Sequence, residues 1–305
     1  LFGKPVITTA FSGQLDFCSP ETAWLVKWRY APSESHLGLP CSAWADPDVD
    51  DLARQLRAVL QAGPKGCAAR VETARRLMME RYTWDEVATR VRAAVEEVSR
   101  HSGSEPLPRL TWVSTWNSRC GIATYSEALT SAIPREQLRV LANADATPLH
   151  LDGPGVERPW VATREDDLEE LHRAIAAFQA DAVFFQFNFG FYDLPTLGQL
   201  ITRLSSEGRA IYVTFHSTQD VNKQELKASL RDIAPALSCA RRLFVHSIAD
   251  LNRLKDFGLV ENVALFQHGF PALPEVDLVN LRTRLGLDGK RVIGTFGFLL
   301  PHKGL

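Results

Sequence analysis

From Arg109 onward the chain alternates short, continuous apolar runs with stretches whose apolar residues recur every three or four positions. The runs at 110–115, 139–142, 182–186, 210–215, 242–246, 263–267 and 291–296 predict strands. Between them, Leu168, Leu171, Ile175 and Phe178 share one helical face, as do Leu226, Leu230 and Ile233. Strands that are apolar throughout, rather than at every second position, are buried on both faces. With helices between them they predict an α/β domain built on a parallel, doubly wound, Rossmann-like sheet.

The first hundred residues have a different rhythm. Strands at 6–9 and 24–28 are followed by three helical patterns in succession. The first opens at "ADPDVDD", where Asp46 is placed to cap, Pro47 suits the first helical position, and Asp48 and Asp50 favour the positive end of the helix dipole. That accounts for the three alternate aspartates without a metal. The last opens at "TWDE", a capping box of Thr83 and Glu86, with Val87, Val91, Val95 and Val98 on one face behind it. Two strands are too few for a stable open sheet, so this half domain is expected to continue upstream of residue 1. "SRHSGSEPLPR" is polar, broken by Gly and Pro, and without periodicity, and it reads as a linker centred on 101–108.

Composition narrows the partners. A length of 305 residues suits two domains, and 45% hydrophobic content is ample for packed cores. With 34 basic and 36 acidic residues, a formal charge of -2 supplies no field toward nucleic acid or an anionic membrane, so an anionic ligand must be held locally. No apolar run is long enough to cross a bilayer. The five cysteines are odd in number and never spaced C-x-x-C, which argues against a disulfide framework or a zinc site and makes a reducing cytoplasm the expected compartment.

In an open parallel sheet, ligands gather at the carboxyl ends of the strands, so polar residues there are the candidates. In "STWNSRCGIATYSEAL", Gly121 opens a helix whose first amides could hold an anion; a plain strand-to-helix turn explains it equally well. His216 ends the apolar run of "YVTFHSTQD" and suits a sugar hydroxyl or a developing charge, against the plainer reading of a solvated strand-end histidine. His246 has the same placement, but Ser247 and Asp250 form a capping box that explains its segment structurally. His268 precedes the turn glycine Gly269. Gln186 and Asn188 stand between aromatic residues in "VFFQFNFGFYD", a mixture suited to the hydroxyl rim and C–H faces of a carbohydrate, and equally to a satisfied sheet end. Lys303, after the Pro301-His302 turn and before Gly304, could supply fixed positive charge to a leaving diphosphate; by pattern alone it is also an ordinary surface lysine. Cys120 has no visible base partner and reads as a small buried residue.

Taken in order, these segments resemble the retaining glycosyltransferases of the GT-B fold, family 4 group. "LFGKPVITTAFSGQLDF", "AWLVKWRYAP", "WADPDVDDLA" and "RYTWDEVATRV" look like the second half of a donor-binding domain, over 1–100. "STWNSRCGIATYSEAL", "FFQFNFGFYD", "VTFHSTQD", "LFVHSIADLNRLKDFG" and "FQHGF" look like the Rossmann-like acceptor-side domain of a second copy, over 109–290, and "IGTFGFLLPHKGL" resembles the opening of its donor-binding domain, over 291–305. The resemblance implies a segment of a tandem enzyme, inactive or weak in isolation, that moves a sugar from a nucleotide-diphosphate sugar to a carbohydrate or lipid-linked acceptor with retention, with no cofactor and no bound metal. A lipid-linked acceptor would bring the parent protein to a membrane surface. The implied roles are His216 in the reacting crevice, Lys303, Gly304 and Gly121 at the donor phosphates, Ser12 and Gly13 in the donor-side loop of the first copy, and Asn117, Gln186, Asn188 and His268 as sugar or acceptor contacts. Phe298 stands where many members carry a phosphate-binding arginine, and the paired donor-gripping glutamates are outside the segment. Both departures weaken the catalytic implication, and Phe298 favours the alternative of a non-catalytic carbohydrate-binding or scaffold module.

Overall fold

The computed structural model describes residues 3–33, 42–83, 85, 86, 89, 92, 108–223, 226–266 and 277–290. Near the amino end, β1 (Ile7–Thr9) and β2 (Trp24–Val26) pair in parallel. The strand expected over 24–28 breaks at Lys27, and from Trp28 the chain enters an antiparallel hairpin absent from the sequence reading, β3 (Trp28–Pro32) with β4 (Ala43–Pro47). This hairpin also corrects the expected helix cap. Because Pro47 still pairs with Trp28, Asp46 lies inside β4, and Asp48 is the residue whose side chain accepts the Asp51 amide at the start of α1 (Val49–Arg81). The 33 residues of α1 hold two of the expected helices, joined at a kink where Gly63 has φ 61° ahead of Pro64. Such a backbone favours glycine, and a proline removes the hydrogen bond that would have kept the helix straight. The Glu86 amide donates to Thr83 Oγ1 at 3.4 Å, one half of the expected capping box. Val87, Val91, Val95 and Val98 lie outside the residues described at side-chain level.

The predicted parallel sheet is present and, among the described residues, has seven strands. In chain order these are β5 (Leu110–Ser114), β6 (Leu138–Asn143), β7 (Val156–Trp160), β8 (Ala182–Phe187), β9 (Ala210–Phe215), β12 (Arg242–Val245) and β13 (Val263–Leu265), with the small hairpin of β10 (Val221–Lys223) and β11 (Leu226–Ala228) between β9 and β12. Their spatial order is β13-β12-β9-β8-β5-β6-β7. β7 was not foreseen because "VERPW" alternates and contains Pro159, a composition tolerated at the edge that it occupies. The expected strand at 291–296 lies outside the described residues.

Helices α2 (Gly121–Thr130), α3 (Glu169–Ala177), α4 (Leu194–Ser206), α5 (Ala234–Ser238) and α6 (Ile248–Asp256) flank the sheet. The helical spacing of Leu226, Leu230 and Ile233 misleads: Leu226 begins β11, a one-turn 3-10 segment runs Leu230–Ile233, and α5 starts only at Ala234. Ser229, whose side chain accepts the Arg231 amide, starts that turn afresh, so Leu226 cannot continue it. Strand residues Val113, Val183, Phe185, Ile211, Val213 and Leu243 form one core with Leu171, Ile175, Leu197, Ile201, Leu204 and Leu237 of the helices. Burial of each such side chain contributes about 1.5–3 kcal/mol before conformational entropy is subtracted. In α4, capped by Asp193, Gly198 allows close approach, since a Cβ there would stand 3.1 Å from Ile233 Cγ2.

Residues 1–268 form one compact unit and 269–305 a second. Within the first, β3 is fastened to α6: the Tyr30 amide donates to Asn252 Oδ1 at 2.8 Å, Asn252 Nδ2 donates to the Tyr30 carbonyl at 3.0 Å, Arg29 pairs with Asp256 at 2.5 Å, and Lys255 stands 4.5 Å from the Trp28 ring centre. In the second, α7 (Leu278–Arg284) is capped by Asp277, whose carboxylate accepts the amides of Val279 and Asn280. No helix among the described residues is long and apolar enough to cross a membrane.

Candidate functional site

The strand order reverses between β5 and β8. From β5 the chain moves outward through β6 and β7, then returns to the other side of β5 and continues outward from β8. Loops at the carboxyl ends of two such strands diverge, leaving a crevice suited to a ligand. Two neighbours in β5 face opposite ways: Val113 enters the apolar core, whereas the Ser114 hydroxyl is 2.8 Å from that of Ser126 on α2. Gln186 in β8 and Thr214 in β9 are paired in register, one residue past the apolar pair Phe185 and Val213, so they share the α2 side with Ser114. All three are buried polar residues near the carboxyl ends of their strands.

His216, just past β9, joins them. Its Nε2 lies 2.8 Å from Gln186 Oε1. The Tyr125 ring of α2 meets the His216 ring edge-on, with centres 5.0 Å apart, and the His246 ring centre is 5.4 Å from that of His216. His246 Nδ1 is 2.6 Å from the carbonyl of Phe266, which can only accept, so Nδ1 carries the proton. Burial pushes the Tyr125 phenol up to about 12, keeping it neutral. Gln186 is fully buried, and its Nε2 has no hydrogen-bond partner among the described residues, an arrangement that costs about 1–3 kcal/mol. The segment carrying His216 is tied to the one carrying His246. Thr218 donates to Asp250, Ser247 Oγ donates to Asp250 Oδ2 at 2.5 Å, and Arg253 reaches both Thr218 and Asp250. One half of the expected Ser247–Asp250 capping box is present, the Asp250 amide donating to Ser247 Oγ at 3.2 Å, and Asp250 also braces the segments that carry the histidines.

The helix that carries Tyr125, α2, begins after Cys120 with no side-chain cap, so its first-turn amides are not taken by a capping side chain. The turn that leads into it is made by Asn117, at φ 49°, and not by Gly121, which has no such φ and whose Cβ position would meet nothing within 4 Å. Glycine there keeps the helix start open instead of enabling the turn. Asn117 also pins the β6–β7 crossover: its Nδ2 donates to the His150 carbonyl at 2.6 Å and Asp152 Oδ1 at 2.9 Å, and its Oδ1 accepts the His150 amide at 3.1 Å. Arg158 completes the brace, bonding Asp152 at 2.8 and 3.1 Å and the Asn143 carbonyl at 2.6 Å. The hydrogen bond from Arg158, helped by Asn117, holds the Asp152 carboxyl below the usual range despite some desolvation. A cleft of about 450 Å³ beside α2 is lined by Trp116, Asn117, Glu127, Arg135, His150 and Asp152, among others.

The structure thus brings Gln186 and His216 together. Asn188 turns its side chain to its own loop, Oδ1 accepting the Gly190 amide at 3.0 Å. Ser12 and Gly13 open a short 3-10 segment after β1, in the amino-terminal region. His268, Lys303 and Gly304 lie outside the described residues. Cys120 is half-buried and accepts from Thr115 Oγ1 at 3.5 Å. Among the described residues, no group of three His, Cys, Asp or Glu side chains is arranged to hold a metal ion. Sequence reasoning missed Tyr125 and Arg158. Tyr125 had a usable signal, standing one helical turn beyond Gly121 where a helix entering from β5 faces the sheet; Arg158, in an unforeseen strand, had none.

No family model matches this sequence. No significant match was found among curated proteins.

Proposed function

We propose that this chain belongs to a glycosyltransferase that moves a sugar from a nucleotide-diphosphate sugar to a carbohydrate or lipid-linked acceptor with retention, and that residues 109–290 supply the acceptor side of the reaction. The observation that supports this reading most is the chemistry at the strand-order reversal. Buried Gln186 meets half-buried His216, and buried Ser114 is bonded to Ser126 of α2, a helix whose start has no side-chain cap. Hydrogen-bonding groups on a rigid apolar frame suit a polyhydroxylated ring, and helix amides suit an anionic phosphate.

In the reaction, the bond between the anomeric carbon and the diphosphate oxygen breaks, and the diphosphate leaves with the electron pair. The acceptor hydroxyl oxygen bonds to the same face of that carbon and passes its proton to the departing diphosphate oxygen. The His216 edge orients the transferred sugar, and the α2 amides offset charge on the departing phosphate; for Lys303 and Gly304 the resemblance implies a donor-phosphate role. The test is equilibrium binding of a panel of nucleotide-diphosphate sugars, followed by product analysis, for the parent and His216→Ala. Binding that the variant weakens at least tenfold supports the proposal. Binding of oligosaccharides alone, with no response to any sugar nucleotide, would replace it with a non-catalytic carbohydrate-binding module.

A further inference from the structure

We propose that Gln186 is a positioning residue for His216, setting the tautomer of its neutral imidazole to Nε2–H, so that any contact the ring nitrogens make with a ligand is made from the Nδ1 edge. The functional meaning of this tautomer rests on the proposed site; the geometry that selects it does not. His216 Nε2 faces Gln186 Oε1 at 2.8 Å, and an amide oxygen only accepts, so Nε2 must donate. Gln186 cannot readily turn away: it is fully buried within β8, between β5 and β9, and its register with Thr214 is fixed by the ladder. The half-buried His216 ring is flanked by Tyr125, edge-on at 88°, and by His246. His246 takes the opposite tautomer, because its Nδ1 faces the Phe266 carbonyl. Two adjacent imidazoles are therefore locked with their protons on different nitrogens, a pattern that fixes where each can donate or accept.

The orphaned amide nitrogen sharpens the inference. A side chain kept only for packing at this buried position would be a leucine or methionine, which leave no unpartnered donor. Glutamine leaves one among the described residues, and what it offers in exchange is the oxygen it presents to His216. Turning the amide over would place a donor against Nε2 and force the proton to Nδ1, and the two settings are distinguishable by measurement.

The experiment is a long-range 1H–15N spectrum of the full chain labelled with [15N]histidine, at a pH where the imidazoles are neutral, with His216 assigned by the signal lost in His216→Gln. The expected result is the Nε2–H pattern for His216 and the Nδ1–H pattern for His246. Gln186→Leu should fold, and should release His216 to a mixture of tautomers. Gln186→Glu, which keeps an acceptor in the same place, should restore Nε2–H and raise the His216 pKa, and it carries the test alone if the leucine variant does not fold. An Nδ1–H pattern for His216 in the parent, or a tautomer indifferent to both substitutions, would overturn the proposal. Tautomers as stated, with no response to any sugar nucleotide, would uphold the role of Gln186 while counting against the transferase reading.

Discussion

On one face of the seven-stranded sheet, Val113, Val183, Phe185, Ile211, Val213 and Leu243 close an apolar core; on the other, Ser114, Gln186 and Thr214 are just as buried and polar. The same strands build both faces, and the second is not polar along its whole length. In its middle, Trp112, Phe184 and Tyr212 stack across β5, β8 and β9, with centres 5.3 and 4.4 Å apart. Its buried polar residues gather at the carboxyl ends, beside α2, where a buried hydroxyl or amide group without a partner is costly. The comparison separates residues that hold the sheet together from residues held in place by it.

Substitutions on the two faces should differ in kind. The largest effect is expected on the apolar face, where Phe185→Ala should cost about 3–5 kcal/mol in chemical denaturation. Phe184→Ala, at the half-buried neighbouring position, should cost clearly less. A comparable loss at both would erase the distinction. Next, Ser114→Ala should cost about 1–3 kcal/mol by stranding the buried Ser126 hydroxyl, and the double variant Ser114→Ala with Ser126→Ala should recover most of it. Additive losses would mean that the pair is not coupled.

The brace under the crevice should show itself through pH. The Asp152 carboxyl is held below its ordinary value in the folded protein, so the unfolded chain binds its proton more readily. Its contribution to stability is therefore present above the unfolded value, about 4, and is lost as pH falls through the folded one. The gap in melting temperature between the parent and Asp152→Asn should narrow as the medium is acidified below about pH 4, and a gap that stays constant would remove the charge from the account. The smallest effect on stability should be that of Gly121→Ala, under ~1 kcal/mol, because the backbone there is ordinary and the space beyond it open. Its consequence should fall on ligand binding at the α2 start.

The sheet was readable from sequence because burial on both faces makes strands continuously apolar, and 210–215 is matched residue for residue by β9. What escaped notice depended on contacts distant in sequence. β4 and β7 are edge strands with Pro47 and Pro159, whose identity comes from their neighbours. Leu226 obeys helical spacing and still sits in a hairpin, because periodicity cannot see the fresh turn that Ser229 starts. At the site, His216 and Gln186 were visible as polar residues ending apolar runs. Their pairing was not, since 30 positions separate them and only the register of β8 with β9 brings them together. Gly121 was singled out for a turn that Asn117 makes, a case where residue type pointed to the right loop and the wrong residue.

The most direct test of the central claim, that the polar carboxyl end of this sheet receives a sugar nucleotide, is a titration of the [15N]histidine-labelled chain with nucleotide-diphosphate sugars. The His216 and His246 signals should move together and saturate, while His172, bonded to Glu207 among the helices of the apolar face, stays still. Unmoved signals at His216 and His246 with every donor, or movement confined to His172, would contradict it.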